Sequence, residues 1–288
     1  MASIMIQGTE VQAVSPEGKT GKMPLADLLA QVAPRRMDGC GVLFPAGVRT
    51  VIPGGRAMIW IYESPPRVYS FRWITNDSPV KFGNGTKYRT VQIALPYLVV
   101  LAVFAPGEGG RLTLSSANEC FFRVAPLKNL EKDELLFPAL LNCSKFNPQE
   151  GHPLSWICTQ HLNRASFDHE SDTNRRLCAG FESLRKCLVE TGFNYSSENH
   201  ESSSWFTESR GIDPRISTVE NWQAASKENP LFVLDVPWLK TGHTIERVAE
   251  RIFKNLRIPQ VTYTSAADLA RVIFNQNKPN QTLPATSI

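Results

Sequence analysis

Ala57-Met-Ile-Trp-Ile-Tyr62 and Val68-Tyr-Ser-Phe-Arg-Trp-Ile74 are runs of aromatic and β-branched residues, separated by Ser64-Pro-Pro-Arg67. Runs of this kind, bounded by turn residues, predict strands. Asn84-Gly85 marks a turn before a second apolar stretch, Tyr88 to Phe104, which Pro96 divides or kinks. Pro106-Gly-Glu-Gly-Gly110 then leads into Arg111-Leu-Thr-Leu114 and Glu119-Cys-Phe-Phe-Arg-Val124. Successive strands joined by local turns predict an antiparallel β-meander. No alternating strand–helix–strand pattern is present, which argues against a doubly wound parallel sheet. With helices on either side, the expected class is α+β.

Working outward, Leu25, Leu28, Leu29 and Val32 form one apolar helical stripe within Met23 to Val32, stopped by Pro34. Beyond the strands, residues 126 to 156 contain Pro126, Pro138, Pro148 and Pro153 and predict a long irregular segment. Irregular segments of this length in compact domains are often functional. Helical spacing returns over 172–189, where Leu177, Phe181, Leu184 and Leu188 share a face, and Gly192 ends it. A second stripe comprises Ile245, Val248, Ala249 and Ile252. The expected organisation is an N-terminal extension over 1–50, a main domain over 51–255, and a C-terminal segment with a flexible polar tail over 256–288.

Composition narrows the class without naming a function. The 288 residues are 42% hydrophobic, enough for a substantial core, and the formal charge is only +4. So small an excess gives no case for nucleic acid or for a membrane surface. The most apolar run, Val91 to Phe104, is 14 residues long and contains Pro96, against the roughly 20 that a spanning helix requires. The six cysteines are scattered and no secretory signal opens the chain, so a reducing cytoplasm with thiols is expected.

The chemical signal is Leu154-Ser-Trp-Ile-Cys-Thr-Gln-His-Leu162, a thiol closing the irregular segment with an imidazole three residues later. A protonated His161 beside Cys158 would favour the thiolate, and either group could relay a proton. No phosphate-cradling glycine loop or dinucleotide fingerprint is present. Cys158 with His161, helped by His152 or His169, makes at most half of a zinc site. No cofactor and no metal are therefore expected. Cys143 is the rival nucleophile, although Leu140 and Leu141 beside it favour a buried thiol. Cys178 and Cys187 read as core or incidental residues of the helix, and His200 and His243 as solvated.

The order of parts resembles the ubiquitin-conjugating enzyme fold, in which Gly-x-Ile-Cys-Leu carries the thioester-forming cysteine. Phe122-Arg-Val-Ala-Pro-Leu127, Asp133-Glu-Leu-Leu-Phe-Pro-Ala-Leu-Leu-Asn142 and Trp156-Ile-Cys158 look like the prokaryotic family D of ubiquitin-conjugating-like proteins. That family includes protein B of the PRTRC plasmid systems. Its members lack the usual histidine ahead of the cysteine and have one after it, which suits His161. The resemblance covers residues 56 to 240 and implies a cytoplasmic carrier that holds a ubiquitin-like modifier as a thioester on Cys158. Its partners would be that modifier, an activating enzyme and a target protein, in antiphage defence or plasmid maintenance.

There are departures from the pattern. The His-Pro-Asn motif of ubiquitin-conjugating enzymes is missing: His152-Pro153 is followed by Leu154 and lies six residues before Cys158. Asn142 or Asn147 could supply the oxyanion-steadying amide, with neither assigned, or backbone N–H groups could take its place. Two other readings stand beside the carrier. One is an inactive scaffold of the same fold that binds a ubiquitin-like protein. The other is a cysteine hydrolase pairing Cys158 with a distant histidine such as His243.

Overall fold

A computed structural model describes residues 3–32, 44–75, 77–78, 85–107, 111–140, 142–145, 153–159, 162–189, 194–195 and 205–256. The chain divides into two compact units, one of Met1–Gly41 with Pro259–Ile288 and one of Val42–Ile258. In the first, β1 (Ser3–Gln7), β2 (Glu10–Val14) and β3 (Thr20–Pro24) form an antiparallel sheet in that order, followed by α1 (Leu25–Val32). Gly8 turns β1 into β2 at φ +59°, a left-handed conformation that glycine adopts without strain. Val11, Ala13, Met23 and Leu28 are this unit's buried hydrophobic side chains among the described residues.

The second unit is built on β4 (Val48–Gly54), β5 (Ala57–Ser64), β8 (Tyr97–Pro106), β10 (Glu119–Arg123), β12 (Cys143–Ser144) and β13 (Trp156–Ile157). They pair antiparallel in the order β12-β13-β10-β8-β5-β4. Short strands extend the sheet: β9 (Leu112–Leu114) on β8, and β11 (Glu134–Leu136) between β10 and β15 (Lys240–Thr244). An α+β chain with an antiparallel sheet is what the strand texture predicts, and it is what forms.

The path between strands differs from a simple meander. β6 (Arg67–Ile74) and β7 (Tyr88–Leu95) make a separate hairpin, with β14 (Asn194–Tyr195) added parallel to β6. The neighbour of β5 is therefore β8, in register from Met58↔Phe104 to Ser64↔Leu98. The reason lies in the two kinds of apolar pattern. β5 is buried at every residue, and β8 is buried from Leu98 to Phe104, so both need cover on two faces. β6 instead alternates buried Tyr69, Phe71 and Trp73 with exposed Ser70 and Arg72, so only one face of it can enter a core.

One face of the central sheet carries Trp60, Tyr62, Val100, Phe104 and Phe122 and packs with the hairpin and α2 (Thr173–Val189). Phe181 of α2 lies 5.2 Å from the Tyr62 ring and 6.0 Å from that of Trp60. The opposite face carries Ile59, Ile61, Val99, Leu101 and Phe121 and is covered by Ile245, Val248, Ala249 and Ile252 of α5 (Ile245–Asn255). Burying each such aliphatic side chain stabilises the unit by about 1.5–3 kcal/mol. No helix among the described residues is long and apolar enough to cross a membrane.

Where α5 reaches the end of β4, it packs so closely that a Cβ at Gly54 would run into the Phe253 ring. Replacing Gly54 by alanine should therefore lower stability by about 1–3 kcal/mol. In a Phe253→Ala background the same change should cost almost nothing, and thermal unfolding of the four proteins measures the coupling.

The outer edge of β7 meets α4 (Val219–Glu228), which follows α3 (Trp205–Ser209). The Gln92 N–H donates to Gln223 Oε1 (3.1 Å) and the Ala94 N–H to Ser226 Oγ (2.8 Å). Trp222 Nε1–H donates to the Ala94 carbonyl (2.9 Å), and Arg89 pairs with Glu220. Helix side chains thus take the place of a further strand at Gln92 and Ala94.

Candidate functional site

Cys158 comes directly after β13, where the chain leaves the sheet on its way to α2. The strand before it is held from several sides. The Cys120 N–H donates to the Ser155 carbonyl (3.1 Å) and the Ile157 N–H to that of Asn118 (2.9 Å). Trp156 Nε1–H reaches the Ser116 carbonyl at 2.6 Å, and Trp205 Nε1–H of α3 reaches that of Leu154 at 3.0 Å. The Cys158 N–H itself donates to the Asn142 carbonyl (2.9 Å). So short a strand is stable only because every neighbouring element contributes a bond to it.

The fold therefore brings two of the expected residues together. Asn142 and Cys158 are joined through their backbones, although 16 positions separate them in the chain. Their side chains do different things. Asn142 is 0% exposed, and its Nδ2 donates to the Cys187 carbonyl (3.2 Å) and the Leu188 carbonyl (2.7 Å). These carbonyls lie in the last turn of the described helix and have no partner among its described residues, so the amide serves as its cap. Asn142 Oδ1 is buried and has no hydrogen-bond partner among the described residues.

Cys158 is 6% exposed, more enclosed than a partly exposed thiol would be. Its carbonyl accepts the Cys187 thiol proton at an S···O distance of 3.5 Å. His161, His152, Asn147 and His200 lie outside the described residues. His169 is exposed. His243 is half-buried on β15, and burial together with Arg251 and Arg247 pulls its pKa below the ordinary value. Among the described residues no three of His, Cys, Asp and Glu gather as a metal-binding group.

Cys143 is fully buried. Burial, with Cys143 beside it, pushes the Cys120 thiol well above its usual range, which keeps that sulfur protonated and a poor nucleophile. Burial and Asp172 likewise push up the thiol of half-buried Cys178.

Sequence reasoning passes over one residue at this site. Glu119, the first residue of β10, is 1% exposed. Its Oε1 meets an Arg251 guanidinium nitrogen at 2.6 Å, and its Oε2 accepts the N–H groups of Leu154 (2.9 Å) and Ser155 (3.1 Å). Burial raises its pKa, opposed by the charge of Arg251 and by the two backbone donors. The available hint is a carboxylate opening an otherwise apolar strand, Glu119-Cys-Phe-Phe.

Compared with family models, with curated proteins and with solved structures, the chain matches none.

Proposed function

We propose that the chain is a carrier of the ubiquitin-conjugating type, with Cys158 as the acceptor of a ubiquitin-like modifier. The observation that supports this reading is the placement of Cys158. It follows directly on β13, the strand between β12 and β10 near one end of the antiparallel sheet, before the segment that leads to α2, and its N–H is hydrogen-bonded to the Asn142 carbonyl. The sequence motifs that resemble the family bracket the same place. In the first step the Cys158 thiolate attacks the carbonyl carbon of the modifier's thioester with its activating enzyme. One C–S bond forms, another breaks, and the enzyme's thiolate leaves, so the bond type is conserved. In the second step a lysine amine attacks the same carbonyl, an amide forms, and the Cys158 thiolate departs. The amine must shed its protons, and His161 is the candidate base. A tetrahedral oxyanion arises in both steps. Since Asn142 Nδ2 caps α2, backbone N–H donors are the better candidates for steadying it.

The experiment combines the protein with its activating enzyme, its modifier and ATP, followed by a non-reducing gel. A thiol-sensitive adduct should form with the wild type and fall at least about 100-fold in Cys158→Ala. Cys158→Ser should give an adduct that resists thiols, because an oxyester replaces the thioester. Loss of the adduct in Cys143→Ala alone would move the nucleophile to the neighbouring strand.

The burial of Cys158 favours a second reading, a non-covalent scaffold that binds a ubiquitin-like protein without charging. That reading predicts complex formation with the modifier on gel filtration, no adduct under any condition, and equal binding by Cys158→Ala.

A further inference from the structure

We infer that Glu119 and Arg251 form a latch that positions Cys158, coupling α5 to the reactive segment. The inference deepens the carrier reading and rests on it for its link to catalysis, but the geometry stands on its own. The Glu119 carboxylate uses both oxygens. Oε1 is held by the Arg251 guanidinium from α5, and Oε2 gathers the successive N–H groups of Leu154 and Ser155. Ser155 lies three positions before Cys158, and the intervening Trp156 and Ile157 are β13 itself. β13 is two residues long, so its own ladder bonds are few, and the carboxylate adds two charge-assisted bonds at the start of this segment to the neutral ones that already hold it. Arg251 belongs to the helix covering the far face of the sheet, so a displacement of α5 would release the carboxylate and with it the strand. Charge-assisted bonds of this kind are about twice as strong as neutral ones, which suits a latch rather than a passive filler. Glu119 is thus a positioning residue. It acts through the backbone at Leu154 and Ser155 and not on the reacting atoms.

The test uses the full chain and two readouts. The first is the rate at which iodoacetamide alkylates each cysteine, resolved by mass spectrometry of the peptides. The second is the rate of adduct formation with the activating enzyme and modifier. Glu119→Gln keeps the shape but sets a donor against Arg251, and Arg251→Met removes the other partner. Either change should raise alkylation of Cys158 about tenfold, with a smaller rise at Cys143, whose strand pairs with β13, and none at Cys120 on β10. Arg251→Lys, which retains the charge, should restore most of the protection. Adduct formation should slow by a similar factor at saturating modifier, with the half-saturating concentration unchanged. Unaltered Cys158 labelling would overturn the latch, and so would labelling that rises equally at all three cysteines. If labelling shifts as expected but neither wild type nor variant forms an adduct, the latch stands and the carrier reading falls.

Discussion

Replacing Trp222 by alanine should lower stability by about 4 kcal/mol, because a buried indole and a hydrogen-bond donor are lost together. Two effects combine at this position. The indole is 1% exposed and packs near Trp238, with 5.9 Å between ring centroids, so truncation opens a cavity. That cavity would join an apolar crevice already lined by Phe71, Trp73, Ile93 and Leu140, which limits how far the surroundings can collapse to fill it. The second effect is polar. Without the Nε1–H donor, the Ala94 carbonyl on the edge of β7 loses its partner, while the Ala94 N–H still bonds Ser226. Leaving such an acceptor unpaired costs about 1–3 kcal/mol. Trp222→Phe retains most of the bulk and removes only the donor, so it should lose about 1–2 kcal/mol and apportion the two effects. Urea unfolding followed by far-ultraviolet circular dichroism measures both, with no reliance on the fluorescence of the residue replaced. Near-wild-type stability in Trp222→Ala would mean that α4 does not hold the hairpin edge.

The helices at Thr173–Val189 and Ile245–Asn255 are legible in the sequence because each buries one face, and the spacing Leu177, Phe181, Leu184, Leu188 records that face directly. The strands are legible as aromatic and β-branched runs between turn residues. Their order is not, because pairing partners are chosen by which faces need cover. In the folded unit the continuous apolar runs of β5 and β8 are the strands buried on both faces, and they pair with each other. The alternation of polar Ser70 and Arg72 with Tyr69, Phe71 and Trp73 marks the hairpin that must stay on one side. At the candidate site, Cys158 and Asn142 stand out as residue types, and the fold does bring their backbones together. What their side chains touch depends on contacts made from far along the chain. Asn142 meets α2 across 45 and 46 positions, and Glu119 meets α5 across 132. No local pattern encodes a contact of that reach, and a lone Glu in a strand reads as solvent-facing until α5 is in place.

That distinction makes Asn142 the position where a structural and a catalytic role separate most sharply. Asn142→Asp should destabilise the unit by about 3 kcal/mol at neutral pH and much less in mild acid. The reasoning is electrostatic. The side-chain amide is fully buried and donates to the Cys187 and Leu188 carbonyls at the negative end of α2. A carboxylate in its place would offer only acceptors to acceptors and would lose its hydration. Both effects raise the folded-state pKa of the introduced acid above its unfolded value of about 3.9. The sign follows from linkage. Below about pH 3.9 both states are protonated and the variant retains a donor, so the loss is smallest there. As pH rises from that value through the raised folded-state pKa, the unfolded chain releases its proton first and stability falls. Above the folded-state pKa the loss is complete and no longer changes. Asn142→Leu lacks the charge and should show a pH-independent loss of about 2 kcal/mol from the two uncapped carbonyls. Urea unfolding of the three proteins from pH 4 to pH 7.5, taken as differences from wild type, isolates the titration from every other carboxylate. If Asn142 instead steadies a reaction intermediate, the outcome differs in kind. Asn142→Leu would then keep nearly wild-type stability and lose adduct formation about 100-fold, the size of effect seen when an oxyanion donor is removed.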